Sequence, residues 1–348
     1  MKYTADNGAI LTFEGMNLDT IFNALVVREN QDGSFSKAIE KKTMNDLPQG
    51  EVVIKAKYAG LNYKDALSAS GHKGISRNYP HTPGVDVCGI VTLDTSGKFS
   101  VNQEVIVTGY DFGMNTSGGF QEYVRVPAAW VVPKPENLSF LESMVFGTAG
   151  FTAALSLFKM ERNGQNPTMG EILVTGATGG VGSMAVGILA KAGYQVIAST
   201  GKKDANDHLK KLGAARIEDR AFAHDTSGKP LLRSKWAGAI DTVGGETLHT
   251  CVKACGRKGS VASCGLVGSS DLNMTVYPFL LNGINILGVD SAETDMDLRI
   301  QLWNKLATDW KLDDLASFAT IVSLDEIIAQ MDLILKGQTK GRVIVAFD

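Results

Sequence analysis

The residues of this chain that are best suited to chemistry begin with a glycine-rich turn, GATGGVG, at positions 176–182. The apolar strand pattern EILV precedes the turn, and the helical pattern SMAVGILAKAG follows it. Ala177 stands at the first position of a G-x-G-x-x-G motif, Gly179 would admit a pyrophosphate, and Gly182 would let the helix pack on the strand. The N-terminus of a helix also favours phosphate charge. We therefore predict a dinucleotide site formed by Thr178, Gly179, Gly180, Val181 and Gly182; the alternative is a glycine turn that binds no ligand.

The next strand, YQVIAS, ends where an NAD-binding unit carries an Asp or Glu for the ribose hydroxyls. This chain has five other residues there: Ser199, Thr200, Gly201, Lys202 and Lys203. Hydroxyl and ammonium donors favour a 2′-phosphate, which a carboxylate would repel. We therefore expect NADPH rather than NADH; the alternative is that both lysines form the solvated start of a helix. Arg216 is either a further phosphate contact or an exposed arginine.

The length and composition of the chain set limits on its class. Its 348 residues suit two domains, each large enough to bury a core. The 34 basic and 37 acidic residues nearly balance, and no basic run resembles a nucleic-acid tract, so we expect no nucleic-acid partner. Four cysteines without a disulfide framework, no signal peptide and no apolar run of about 18 residues predict a cytoplasmic protein without a membrane span.

The pattern of apolar residues changes along the chain and divides it into domains. Residues 1–21 precede the first clear strand and are predicted to be an N-terminal extension. Short β-type runs predict a β-rich domain at 22–144, and strand–helix alternation predicts a nucleotide-binding domain with a parallel sheet at 145–289. Residues 290–348, which end on the strand pattern GRVIVAFD, are predicted to return to the first domain.

Several further segments resemble those of a known family. LNYKDALSASG, PHTPGVDVCGIV, GTAGFTAALSL, WAGAIDTVGG and CGLVGSS, together with the glycine turn, resemble the medium-chain dehydrogenase/reductase superfamily. Within it they are similar to the zinc-independent, quinone oxidoreductase-like, acrylyl-CoA reductase (YhdH-type) branch. The resemblance covers essentially 22–348 and is weakest at 295–338. It implies an α/β fold with a GroES-like β-rich catalytic domain plus a Rossmann doubly wound parallel-sheet domain, NADPH as the cofactor, and a homodimer.

The segments that hold zinc in the zinc-dependent members of this superfamily differ here. Those members carry a cysteine in a C-x-x-D segment, a histidine in a Gly-His-Glu segment and a lobe with four cysteines. The corresponding segments of this chain read NYKD at 62–65 and GVD at 84–86, and no C-x-x-C pair is present. Asn62 and Val85 supply neither a thiolate nor an imidazole, so we expect no metal.

The missing zinc ligands bear on the reaction. Without a Lewis acid to polarise an alcohol oxygen, reduction of an activated C=C bond is the better match, because it needs only hydride delivery, stabilisation of an enolate and a proton. The resemblance implies NADPH-dependent reduction of acrylyl-CoA, or a similar enoyl thioester, to propionyl-CoA, with hydride transfer to the β-carbon. Two alternatives stay open: an NADPH:quinone oxidoreductase, and a non-enzymatic NADPH-binding protein.

Residues near the nicotinamide are assigned from the same resemblance. The candidates for catalysis are Asn62, Tyr63, Asp65, Asp86 and Arg342. The Tyr63 hydroxyl could donate to the developing oxyanion or to the α-carbon, and Arg342 could support an anionic intermediate. The alternative is structural: Asn62 and Asp65 hold a loop, Asp86 pairs with Arg342, and Tyr63 only stacks on the nicotinamide.

A second group of positions is expected to line the cofactor, again from the resemblance. These positions are Tyr63, Leu266, Leu280, Ser291 and Arg342. Leu266, Leu280 and Ser291 could equally belong to the core of a sheet or to a contact between subunits.

Overall fold

The computed structural model describes residues 2–4, 10–12, 18–339 and 341–348, without the side chains of 2–4, 10–12 and 203. The strands among these residues are β1 (Lys2–Thr4), β2 (Ile10–Thr12), β3 (Ile21–Glu29), β4 (Phe35–Thr43), β5 (Val52–Gly60), β6 (Asp86–Asp94), β7 (Glu104–Thr108), β8 (Tyr123–Val126), β9 (Val131–Pro133), β10 (Ile172–Val174), β11 (Val196–Ser199), β12 (Arg216–Glu218), β13 (Gly238–Asp241), β14 (Ser260–Ser263), β15 (Asn285–Gly288), β16 (Ala319–Val322) and β17 (Arg342–Ala346).

The α-helices of the same described residues are α1 (Tyr63–Ala69), α2 (Phe140–Arg162), α3 (Gly180–Lys191), α4 (Asn206–Lys211), α5 (Gly245–Lys253), α6 (Tyr277–Asn282), α7 (Met296–Ala307) and α8 (Ile327–Leu335). Short 3-10 helices occur at Met44–Asp46, Ala128–Trp130, Pro167–Met169, Lys203–Ala205, Arg220–Ala223 and Leu315–Phe318. The predicted N-terminal extension lies mostly outside the described residues; where it is described, β1 pairs antiparallel with β2.

The chain divides into two compact units. The first contains Met1–Thr148, Ala292–Gln301 and Asp314–Asp348, and the second contains Ala149–Ser291 and Leu302–Asp313. The predicted single return at 290–348 is therefore interrupted, because part of it packs within the second unit. Trp303 stacks on Phe151 with 6.2 Å between the ring centroids, and the Leu312 side chain lies against Gly187. A helical pattern alone does not say which of two cores the helix covers.

The main sheet of the first unit, among the described residues, has the order β16-β17-β5-β6-β7-β9, with β8 also paired to β5. β17 runs antiparallel to β5, with Ile344 opposite Gly60, so the last strand of the chain lies in this unit. Ile54 and Ala56 of β5 point into a core that also holds Val87 of β6. This two-residue alternation is the one expected of half-buried strands.

The helix α1 is fixed by a second core of the first unit. Ala66 and Ala69 of α1 pack with Ile327 and Met331 of α8, and with Leu61 just before α1. All five side chains are almost completely buried. The packing holds the start of α1, and with it residues 62–65, against the sheet.

The sheet of the second unit is parallel throughout, in the order β12-β11-β10-β13-β14-β15. Counted from β10, this order is 3-2-1-4-5-6, which is the doubly wound order of a Rossmann domain. The central strands ILV, VIAS and GAID are buried at every residue, as expected where helices cover both faces of a parallel sheet. The predicted parallel-sheet domain is confirmed.

The helix α2 is the one described helix that is long and apolar enough to cross a membrane by length and composition. Its most apolar window is 78% buried inside the protein, and the helix is broken at Gly147, where φ is 47° and ψ is −152°. These two features are those of a core helix. The break lies beside the charged cluster described next.

Candidate active site

Two opposite charges lie buried in the first unit, at the first residues of β6 and β17. Asp86 is 0% exposed and Arg342 is 3% exposed, and Nη2 of Arg342 lies 3.4 Å from Oδ2 of Asp86. Burial raises the pKa of Asp86, while the charge of Arg342 opposes that rise. Burial likewise lowers the pKa of Arg342. The positive charge of Arg342 therefore offsets part of the cost of burying the Asp86 carboxylate.

Asn62 joins the two charges through its side-chain amide. Its Nδ2 donates to Oδ2 of Asp86 at 2.7 Å, and its Oδ1 accepts from Nη1 of Arg342 at 3.3 Å. Nη1 of Arg342 also donates to the carbonyl of Leu61 at 3.0 Å. The residue before Tyr63 is thus held on both sides by the ion pair.

Asp65 is a second, fully buried carboxylate on the first turn of α1. Its Oδ2 accepts from the Asn62 N–H at 2.7 Å, and its Oδ1 accepts from the Val85 N–H at 2.9 Å. Burial raises the pKa of Asp65 to about 7, the negative charge of Asp86 adds to the rise, and the two N–H donors oppose it. Asp65 therefore ties the start of α1 to the loop before β6.

The ion pair also fits the break in α2. Both carboxylate oxygens of Asp86 accept from the Thr148 N–H, at 3.0 and 2.9 Å, and Nε of Arg342 donates to the Val145 carbonyl at 3.1 Å. The anion thus faces the N–H that begins the second helical segment, and the cation faces a carbonyl that ends the first, as helix dipoles favour. Gly147 is needed between them because a Cβ there would collide with the Asp86 carboxylate.

Tyr63, the first residue of α1, differs from its buried neighbours because it is 40% exposed. In the part of the chain that the structure describes, its hydroxyl has no hydrogen-bond partner. The structure therefore brings Asn62, Asp65, Asp86 and Arg342 into one hydrogen-bonded cluster, and Tyr63 is the exposed residue that follows Asn62 in the chain. Thr148 is part of this cluster and was missed from the sequence, because its role follows from the break in α2.

The glycine turn of the second unit has the geometry that the sequence predicts for a dinucleotide turn. Gly179 precedes α3, and its N–H donates to the Gly176 carbonyl at 2.9 Å. A Cβ on Gly182 would collide with that same carbonyl. Glycine at position 182 therefore lets the start of α3 pack closely against the turn. The first N–H groups of an α-helix have no acceptor within the helix, so the start of α3 is where the predicted phosphate would be held.

A hydrogen-bonded network supports the glycine turn from the neighbouring strand. The Thr175 hydroxyl donates to Oδ1 of the buried Asp241 at 2.6 Å and accepts from the Thr242 N–H at 3.0 Å. Oδ2 of Asp241 accepts from the Gly244 N–H at 2.8 Å. Thr175, which directly precedes the glycine turn, is therefore held against the end of β13.

The residues after β11 form a second turn at the same edge of the sheet. The Ser199 hydroxyl donates to the Asp219 carbonyl at 3.4 Å, and the Thr200 hydroxyl is 3.1 Å from that of Thr178. The Lys202 N–H donates to Oγ1 of Thr200 at 3.1 Å. Thr178 and Thr200 thus link the two predicted phosphate-binding turns. The side chain of Lys203 lies outside the described part of the structure.

The other predicted cofactor residues lie in different surroundings. Arg216 is tied to two carboxylates, with Nε at 2.9 Å from Glu171 and Nη1 at 2.5 Å from Glu218. The Ser291 hydroxyl accepts from the Thr152 hydroxyl at 2.8 Å. Leu266 and Leu280 are 69% and 76% exposed, so neither belongs to the core of the sheet.

Comparison with known proteins places this geometry in a family. A model of the alcohol dehydrogenase GroES-like domain matches residues 48–136, and a model of zinc-binding dehydrogenases matches 180–307. The chain is 44% identical to the putative quinone oxidoreductase YhfP of Bacillus subtilis, over 94% of this chain and 99% of that protein. It is 40% identical to the acrylyl-CoA reductase AcuI of Ruegeria pomeroyi, over 93% of this chain and 99% of that protein.

Solved structures give the same result. The yhdH oxidoreductase of Salmonella enterica, crystallised with NADP, is 39% identical, with a TM-score of 0.90 over 94% of this chain and 100% of that chain. The structure of YhfP with NAD bound is 43% identical, with a TM-score of 0.92 over 94% of this chain and 100% of that chain. The chain belongs to the medium-chain dehydrogenase/reductase superfamily of oxidoreductases, in the quinone oxidoreductase-like, YhdH-type branch. The predicted GroES-like domain is confirmed.

The zinc that one family model implies does not fit the residues present here. Val85 is apolar and buried, and the amide of Asn62 is bonded to both members of the ion pair. The oxygens of Asp65 and Asp86 accept from N–H and O–H groups. No group of three or more His, Cys, Asp or Glu side chains that could hold a metal occurs among the described residues. The cation of this cluster is the Arg342 guanidinium.

Proposed function

We propose that this enzyme uses NADPH to reduce the conjugated C=C bond of acrylyl-CoA, or of a similar enoyl thioester, to propionyl-CoA or its analogue. The observation that carries the proposal is the 40% identity to AcuI over 99% of that protein. NADPH, when bound, supplies the hydride that adds to the β-carbon of the substrate. A metal has no part in the proposed reaction.

The turn after β11 supports NADPH as the cofactor. No Asp or Glu occurs at 199–203, and Glu218, which lies opposite Ser199 on the adjacent strand, is paired with Arg216. A 2′-phosphate would therefore meet hydroxyl and ammonium groups rather than an uncompensated carboxylate. The yhdH structure with NADP agrees with this choice, whereas YhfP was solved with NAD.

The first unit supports a role for Tyr63 in stabilising the enolate that hydride addition creates. The Asp86–Arg342 pair fixes Asn62, and Asn62 and Asp65 fix the start of α1, so the position of Tyr63 is set by buried bonds. Its open hydroxyl could then donate to the thioester oxygen as negative charge develops there. A donor that is already in place contributes more to the transition state than one that must reorient.

A second candidate function is NADPH:quinone oxidoreduction, favoured by the 44% identity to YhfP. The test is NADPH oxidation by acrylyl-CoA, crotonyl-CoA and 1,4-benzoquinone in parallel, each with and without a chelator, and with NADH as the control. We expect the highest kcat/KM with acrylyl-CoA. A higher value with the quinone would replace the proposed substrate by its rival, and loss of activity on chelation would contradict the metal-free reaction.

The clamp on the glycine turn gives a prediction for cofactor binding. Thr175→Val removes the hydroxyl that bonds Asp241 and Thr242, so we expect NADPH and NADH to be weakened about equally, by roughly 10-fold. Both cofactors carry the pyrophosphate that this turn would hold. Fluorescence titration checks the result, and Thr175→Ser should restore affinity.

A matched control for this prediction is Thr250→Val, which removes another buried threonine hydroxyl of the second unit. The Thr250 hydroxyl accepts from the Asp225 N–H at 3.0 Å, away from the turn. Equal loss of affinity in the control would show that Thr175 acts only through general stability.

We also propose that the protein is a cytoplasmic homodimer without a nucleic-acid or membrane partner. The cysteines are free, which suits a reducing compartment. β15 is an edge of its sheet, and α6 beside it carries exposed apolar side chains, including Leu280 and Leu281 at 76% and 51%. A parallel edge next to such a patch suits a second copy of the chain.

Leu280→Asp is expected to yield monomers, because it would place two carboxylates in the apolar contact of a dimer. Sedimentation velocity of the wild type and the variant checks this, with Val101→Asp, at another exposed apolar residue in the first unit, as the control. A dimer that persists in Leu280→Asp would remove this face as the interface.

A further inference from the structure

One arginine outside the predicted site stands at the same edge of the sheet as the turn after β11. β11 and β12 are adjacent parallel strands with Ser199 opposite Glu218, so the turns that follow them lie side by side. The Thr200 N–H donates to the Glu218 carbonyl at 3.0 Å, which fixes the two turns together. Arg220 is the first residue of the 3-10 helix that follows β12.

The Arg220 guanidinium lies directly on the backbone of Gly201. A Cβ built on Gly201 would have Cζ of Arg220 at 2.8 Å and Nη2 at 3.0 Å, and it would collide with Nε. Gly201 does not have a positive φ, so its backbone conformation does not call for glycine. Glycine is needed at 201 because any side chain there would displace the Arg220 guanidinium from the turn.

The guanidinium of Arg220 has no polar partner among the described residues. Its side chain is exposed, and within the described residues it makes no hydrogen bond or ion pair. The adjoining carboxylate, Asp219, accepts from the Ala221 N–H at 3.1 Å and caps the 3-10 helix. Arg216, four residues earlier, differs because its N–H groups donate to the carboxylates of Glu171 and Glu218.

We infer that Arg220 is a specificity-determining residue that binds the 2′-phosphate of NADPH over Gly201. The inference rests on the proposed use of NADPH. A planar guanidinium binds a phosphate with two parallel hydrogen bonds, and the donors of the Thr200–Lys202 turn would meet the same phosphate from the other side. NADH has a neutral hydroxyl at that position, so Arg220 adds little to its binding.

The test measures the dissociation constants of NADPH and NADH for the full-length enzyme and its Arg220→Gln variant. We expect NADPH to be weakened by about 10- to 100-fold and NADH to be unchanged, because hydrogen bonds to a charged group are lost for one cofactor only. Gly201→Ala should reproduce this selective loss by displacing the guanidinium. Arg216→Gln is the matched control and should not change the ratio of the two constants.

The outcomes separate the inference from the proposed function. Equal weakening of both cofactors in Arg220→Gln would show a structural role and overturn the inference. Unchanged NADPH binding in Arg220→Gln, with a wild type that prefers NADPH, would overturn the inference and leave the proposed cofactor standing. A wild type without preference for NADPH would overturn both.

Discussion

Replacing Arg342 by methionine is expected to lower the free energy of unfolding by about 3–5 kcal/mol, because Asp86 would become a buried carboxylate without its cation. Methionine keeps the apolar length of the side chain but supplies none of its donors. The Val145 and Leu61 carbonyls would lose their guanidinium partner as well. Chemical denaturation followed by circular dichroism measures the change.

The control for this prediction is Arg216→Met in the second unit. Arg216 also pairs with carboxylates, but its side chain is 36% exposed, and surface pairs contribute only about 0–1 kcal/mol. If Arg342→Met lowers the free energy of unfolding no more than Arg216→Met does, burial does not make the Asp86–Arg342 pair important for stability.

A variant that keeps the charge separates electrostatics from geometry. Arg342→Lys should recover part of the stability, because an ammonium can still neutralise Asp86 but cannot bond Asn62, Leu61 and Val145 together. Activity should fall further than stability in this variant, since Asn62 would lose one of its two supports next to Tyr63. If Arg342→Met does not fold, the lysine variant still provides the comparison.

The fold was largely predictable because its signals are local. The strand, glycine turn and helix at 172–191 follow one another directly, and the alternation of strands and helices from there gives the parallel sheet. The boundary within 290–348 was not predictable in this way. Whether Leu302–Asp313 covers one core or the other depends on partners such as Phe151 and Gly187, which are distant in sequence.

The members of the candidate site came from resemblance, whereas their arrangement needed the structure. Asn62 and Arg342 are 280 residues apart, and no spacing in the sequence shows that one amide joins them to Asp86. The sequence pattern also did not reveal the break at Gly147, because a single glycine does not show that a helix is interrupted there. The same carboxylate that looks catalytic in sequence proves to cap a helical segment at Thr148.

The difference between Arg216 and Arg220 shows the same limit. Both arginines follow the helix after the predicted phosphate turn, and the sequence gives no reason to prefer the second. Only the register of β11 and β12 places residue 220 over Gly201 and residue 216 between two glutamates.

Tyr63→Phe is expected to lower kcat by about 100-fold with acrylyl-CoA while leaving NADPH affinity unchanged, if the hydroxyl stabilises the enolate or supplies its proton. Phenylalanine keeps the ring, so any stacking on a ligand would survive. The hydroxyl has no partner among the described residues, so its removal should not change the stability of the fold. Steady-state kinetics and NADPH titration of the same preparation measure both quantities.

Tyr277→Phe is the control, since Tyr277 is a tyrosine of similar exposure, 50% against 40%, in the second unit. An unchanged kcat in Tyr63→Phe would reduce Tyr63 to a packing residue and leave the proton to solvent. A loss of NADPH affinity at constant kcat would instead assign its hydroxyl to the cofactor. Because Arg342 would act on the reaction through the placement of Tyr63, Arg342→Lys and Tyr63→Phe should each lower kcat, and together they should lower it by less than the product of the two effects.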